Sequence, residues 1–152
     1  MYSKMKYSVI GLLAASILFV SACATGTKEE QITEVQTIEL LRTTQSWDGA
    51  ELPDYPEGKP ELVVLRYIFP VGQKLAWHHH TVMNYGIVQQ GELTIIAADG
   101  TEKTVKAGEA VAEMVGTVHH GENRGSEPVI LDMFYVSRPG EPLSVPDPEP
   151  AE

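Results

Sequence analysis
Short runs of β-branched and aromatic residues recur through this chain, separated by glycine turns, and no long amphipathic helix interrupts them. That spacing restricts the fold to a β-barrel or a jelly roll, because short strands stay stable only when their edges are paired off around one core. Residues 62–69 (Leu-Val-Val-Leu-Arg-Tyr-Ile-Phe) form the strongest predicted strand. Further strands are predicted at 75–80, 85–89, 92–98, 101–105, 110–115, 119–123 and 129–136. Asp99-Gly100 is a hairpin signal between two of them. A looser alternation at 35–43 predicts a first strand, and residues 47–60, with three prolines and two glycines, read as turns. The chain has 152 residues, enough for one domain and hardly two.

Two stretches within this pattern carry chemistry. The first runs from Gly72 to Gly91 and contains His78-x-His80. Residues two apart on a strand point to the same face, so His78 and His80 share one side and His79 takes the other. The second runs from Gly108 to Asn123 and contains Gly116-x-x-His119, with His120 facing away from its neighbour. A third histidine brought alongside the first two completes a set of imidazole ligands suited to zinc, copper, iron or nickel. The plainer alternative is a polar strand that happens to be rich in histidine.

In their order and spacing these motifs resemble those of the cupin superfamily. Gly72, His78, His80 and Gly91 fall in register with its first motif, and Gly108, Gly116, His119 and Asn123 with its second. Flanking strands extend the likeness over residues 36–138. The resemblance implies an all-β fold, a single cupin jelly-roll barrel. It also implies one divalent transition metal ion (iron, zinc, manganese, copper or nickel) held by His78, His80 and His119. Two positions depart from the pattern: Met114 replaces a proline, and Asn84 stands where the family has a glutamate ligand. Asn84 would then offer a neutral oxygen to the metal, or mark a weakened site.

Glu113 and Tyr85 are the catalytic candidates. Glu113 lies six residues before His119. Even spacing keeps it on the histidine's face unless the Gly116 turn resets the parity, and there it would serve as general base or hold a ligand in place. It reads equally well as a solvated surface glutamate. Tyr85 would donate a hydrogen bond to a metal-bound ligand. Trp77, Met83, Met114, Met133, Phe134 and Tyr135 read as pocket walls or as simple core. Arg66 and Arg124 read as an anion site or as surface pairs, and Asn123 as a turn-former through backbone hydrogen bonds.

The N-terminus reads as a targeting segment. Lys4 and Lys6 precede an apolar run at 9–20, a pattern typical of a secretory signal and too short to span a bilayer comfortably. Val20-Ser21-Ala22-Cys23 resembles the bacterial lipobox, which implies cleavage before Cys23 and a diacylglycerol on its sulfur. An ordinary signal peptide cut after Ala22 is the alternative. The expected organisation is therefore a cleaved lipoprotein signal peptide at 1–22, a lipidated Cys23 with tether at 23–35, a barrel at 36–138 and a tail at 139–152. Five prolines in that tail predict an extended or disordered segment. Ala24 after the cysteine resembles outer-membrane sorting in a Gram-negative cell, on the periplasmic face.

The formal charge is −10; a chain beginning at Cys23 keeps 9 of the 11 basic and all 21 acidic residues, a net −12. That balance argues against nucleic acid as a partner, which needs clustered Lys and Arg. The lone cysteine excludes a disulfide framework. The remaining expected partners are a small-molecule ligand or substrate, the membrane through Cys23, and a second copy in a homodimer, the last by resemblance alone. Enzyme, ligand-binding module and structural domain with a lapsed site all remain open at this level.

Overall fold
The computed structural model describes residues 32–151. Nine strands follow in order: β1 Glu61–Phe69, β2 His78–His80, β3 Met83–Gln90, β4 Glu92–Ala97, β5 Glu102–Lys106, β6 Ala110–Ala112, β7 His119–Glu122, β8 Val129–Ser137 and β9 Ser144–Pro146. There is no helix among the described residues. The strands form two antiparallel sheets, one ordered β1-β8-β3-β6 and the other β5-β4-β7-β2-β9. The expected signal segment and Cys23 lie outside the described residues.

Period-two alternation builds the core. β8 alternates between buried and partly buried positions along all nine residues, and turns Val129, Leu131, Met133 and Tyr135 inward. The opposing sheet contributes Leu93, Ile95 and Val105 to the same cluster. Each fully buried aliphatic side chain stabilises the fold by about 1.5–3 kcal/mol, and this layer holds the two sheets face to face. Gly91 links β3 to β4 at φ 76°. A Cβ there would lie 2.8 Å from the Pro128 carbonyl oxygen. The tight turn and the close approach therefore both require glycine.

Two segments differ from the sequence reading. Residues 37–43 join no ladder, and Ile38 is 74% exposed. Alternation there was too loose to commit one face to the core, and a strand without a buried face gains too little to pair. The tail, in contrast, carries β9, which pairs with β2: His78 opposite Pro146, His79 opposite Val145, His80 opposite Ser144. Proline removes a backbone donor, but β9 is an edge strand, where a missing donor on the outer side costs nothing. The tail is thus extended and joined to the strand that bears three histidines.

Candidate metal centre
β2 and β7 are antiparallel neighbours, and His78 is directly opposite His119. Alternation puts His80 on the same inward face as His78. The three rings cluster with centroids 4.7–5.0 Å apart. One nitrogen from each lies within 4.8 Å of the others.

Hydrogen bonding identifies those nitrogens. His78 Nδ1 lies 2.8 Å from the Ala76 carbonyl oxygen, His80 Nδ1 3.0 Å from that of Leu143, and His119 Nδ1 2.8 Å from that of Thr117. A carbonyl can only accept, so each Nδ1 carries a proton; this leaves the Nε2 lone pairs of His78 and His119 free, while His80 Nε2 faces a second acceptor, Glu113 Oε2, at 2.9 Å. This is how a protein orients metal-binding imidazoles. His119 Nε2 is buried with no hydrogen-bond partner among the described residues. A buried nitrogen left in that condition is costly unless a ligand takes it.

Glu113 faces the histidines from the other sheet. It follows β6 directly, and its backbone N–H donates to the Asn84 carbonyl at 3.2 Å, extending the β3–β6 ladder by one step. Its Oε2 is 2.9 Å from His80 Nε2 and 3.9 Å from His119 Nε2. The residue is buried. Parity along the chain did not decide this orientation; β6 and β7 lie in different sheets, and the carboxylate meets His119 across the barrel. Burial alone pushes the Glu113 carboxyl up, but the close approach of the His119 and His80 rings outweighs it. The group stays ionised, well below the usual carboxylate range. Burial pulls the His119 imidazole down and Glu113 more than restores it, for a net rise. His78 is lowered, mainly by burial.

These groups surround a cavity of about 20 Å³, room for one water or one ion. Its remaining walls are apolar and aromatic and include Leu75, Leu131, Met133, Tyr67 and Tyr135. Tyr67, Leu75 and His78 also border a surface depression of about 220 Å³ with Trp77, Ser144 and Pro146.

Tyr85 does not join this group. On β3, Asn84 turns inward and Tyr85 outward, 42% exposed and stacked on Phe134 at 5.3 Å. The hydroxyls at the cavity belong instead to Tyr135 and Tyr67, 3.1 Å apart. Burial, the Tyr67 hydrogen bond and Glu113 all push the Tyr135 hydroxyl up, so it stays protonated. Tyr67 could have been found from the sequence: it shares β1 parity with the inward Phe69.

Asn84 is fully buried, with its Nδ2 donating to the Val82 carbonyl and its Oδ1 unpartnered among the described residues. It is not among the residues lining the histidine cavity. His79 and His120 both lie off the cluster: His79 pairs with Asp147 at 2.7 Å, and His120 packs on the Trp77 ring at 4.3 Å. Arg66 pairs with Asp132 and Arg124 with Glu102 and Glu122, so both arginines are held in exposed ion pairs rather than at the cavity. Asn123 fixes the turn after β7 by accepting from the Gly125 N–H and donating to the Phe69 and Glu127 carbonyls.

A strand pair bearing two facing histidines and a third two residues along, set between two antiparallel sheets, is an arrangement that fits a metal-binding β-fold. Residues 65–136 match the cupin domain family model. That match supports the cupin superfamily for this domain. An uncharacterised conserved protein with a double-stranded β-helix domain, from Klebsiella pneumoniae, is 25% identical; the alignment covers 62% of this chain and 84% of that one, with a TM-score of 0.49. An oxalate oxidase in complex with the substrate analogue glycolate is also 25% identical, over 52% of this chain and 44% of that one, with a TM-score of 0.46. The DMSP lyase DddQ from Ruegeria pomeroyi is 15% identical over 60% of this chain and 45% of that one, with a TM-score of 0.51. This last likeness is one of fold, and the lower TM-scores of the other two carry nothing further. The chain spans less than half the length of the oxidase and of the lyase. No curated protein matches in sequence.

Proposed function
We propose that the barrel holds one divalent transition metal ion on His78, His80 and His119 and uses it on a small molecule reaching the cavity past Tyr67, Leu75 and His78. The observation that carries this reading is the set of three Nδ1–carbonyl bonds, which turn the Nε2 atoms of the three imidazoles toward one another, with one nitrogen of each within 4.8 Å of the others. A bound ion would supply Lewis acidity and an acidified water. The chain's own residues do the rest. The carbonyls of Ala76, Thr117 and Leu143 orient the imidazoles, one hydroxyl of the hydrogen-bonded Tyr135–Tyr67 pair donates to an oxygen on the ligand, and Leu75, Leu131 and Met133 limit water.

Cavity size favours a second reading beside this one. Room for an ion and little else suits a module that captures metal without turning a substrate over.

Elemental analysis of chain purified without chelator or affinity histidines tests both readings, alongside a His78→Ala/His119→Ala variant. About one equivalent of ion, absent from the variant, is expected. If neither chain binds added ion, the metal reading fails. Turnover of small chelating substrates by the loaded protein then separates enzyme from store.

The reading extends to an envelope-anchored lipoprotein. Its support is the lipobox-like Val20-Ser21-Ala22-Cys23, with the single cysteine at the position that lipidation requires. In a bacterial host the chain should take up labelled fatty acid and fractionate with membranes, and Cys23→Ser should lose both properties. Equal labelling of the two chains would sink the anchor.

A further inference from the structure
The geometry points to Glu113 as a fourth, anionic ligand of the metal, a role taken from across the β3–β6 ladder by the neighbour of the inward-facing Asn84. This inference rests on the three-histidine reading above and adds to it.

Charge comes first. Three neutral imidazoles around a divalent ion leave two positive charges in a cavity walled by Leu75, Leu131, Met133 and aromatic rings. Burying an unneutralised ion in such surroundings is strongly unfavourable. The described residues contain one carboxylate at this cavity, and it is Glu113.

Position comes second. Ligand atoms that share an ion at bond lengths of about 2.0–2.2 Å lie roughly 3–3.5 Å from one another. Glu113 Oε2 stands 2.9 Å from one Nε2 and 3.9 Å from another, on either side of that range. The same oxygen hydrogen-bonds His80 Nε2, although His80 Nδ1 already holds a proton on the Leu143 carbonyl. Both ring nitrogens of His80 therefore face acceptors. That arrangement needs a second proton on the imidazole, or a cation between Nε2 and the carboxylate, and a metal ion meets the need.

The ladder explains why the carboxylate lies on this strand. Ala112 pairs with Tyr85, so the next step brings Glu113 opposite Asn84, and their backbones are joined by the 3.2 Å bond. Both side chains are buried. Either position can therefore send a side chain into the barrel, and in this chain the charge is on Glu113.

The test is a charge swap, read by competition with a chromophoric chelator and by the visible spectrum of bound Co(II). Glu113→Gln keeps the shape and removes the charge; it should bind Co(II) about 10- to 100-fold more weakly, with an altered visible band. Asn84→Glu/Glu113→Gln should recover most of that affinity and a spectrum close to the parent's. Thermal melting of the metal-free chains shows whether each variant folds. If Glu113→Gln misfolds, Glu113→Asp takes its place, with weaker binding and a shifted band as its expected result. Unchanged affinity and an unchanged spectrum in Glu113→Gln would overturn the inference and leave Glu113 as a proton acceptor beside the ion, with the three-histidine site intact. Loss of binding in the parent chain itself would instead defeat the metal reading, and this inference with it.

Discussion

Replacing Asn123 with Leu should lower the stability of the barrel by about 3 kcal/mol, although the substitution keeps nearly the same volume. The Asn123 amide donates to the Phe69 carbonyl at 3.0 Å and the Glu127 carbonyl at 2.8 Å, and its Oδ1 accepts from the Gly125 N–H at 2.9 Å. Leu meets none of these three backbone groups. Each net hydrogen bond is worth about 1 kcal/mol, and a buried group left unpaired adds to the loss. The residue is 1% exposed, so water has little room to substitute. Its own backbone also holds the loop between β1 and β2, through Gly72 and Gln73. One side chain thus joins the end of β1, the turn after β7 and the start of β8. A urea melt should show the loss directly, and the melting temperature should fall by about 10 °C. A change below about 1 kcal/mol would mean that these carbonyls find other partners.

Deleting residues 141–152 should weaken metal binding by about 10- to 100-fold, although none of those residues is placed among the ligands. The Leu143 carbonyl accepts from His80 Nδ1, and β9 pairs with all three residues of β2. Without the carbonyl, His80 loses the bond that fixes both its tautomer and its ring plane. Partners of that kind are typically worth this range in affinity. Asp147→Ala is the control, because Asp147 pairs with the outward His79 and touches no ligand. It should bind metal as the parent does. Competition with a chelating dye measures both chains, and equal affinity in the truncated chain would show that the tail does not position His80.

The tail also shows where composition misleads. Proline counts predict whether a segment can form the interior of a sheet, and here they rightly exclude that. They do not exclude an edge strand, whose outward groups need no partner. Whether an edge was open to receive the segment is a property of β2, about sixty residues away. Tyr85 makes a related point. It follows Asn84 and was placed at the metal by its nearness in sequence to the motif, but consecutive residues of a strand face opposite ways, and β3 turns Tyr85 outward. The hydroxyl that reaches the cavity comes from Tyr135 on β8, the strand beside β3, with Tyr67 on β1 hydrogen-bonded to it.

Local pattern determined much of this protein. Strand periodicity and glycine turns set the all-β class, and the two-residue spacing of His78 and His80 set their common face. The same pattern implied that Asn123 would close a turn. These are consequences of backbone geometry within a few residues, so the sequence by itself carries them. The tertiary structure decided what depends on pairing across the barrel. It placed His119 opposite His78, aimed Glu113 at both His80 and His119 from the other sheet, and brought the Leu143 carbonyl from the tail to His80. Those contacts depend on ladder order and register, which arise when the two sheets bury their apolar faces together. No spacing along one strand encodes which residue will stand across a barrel.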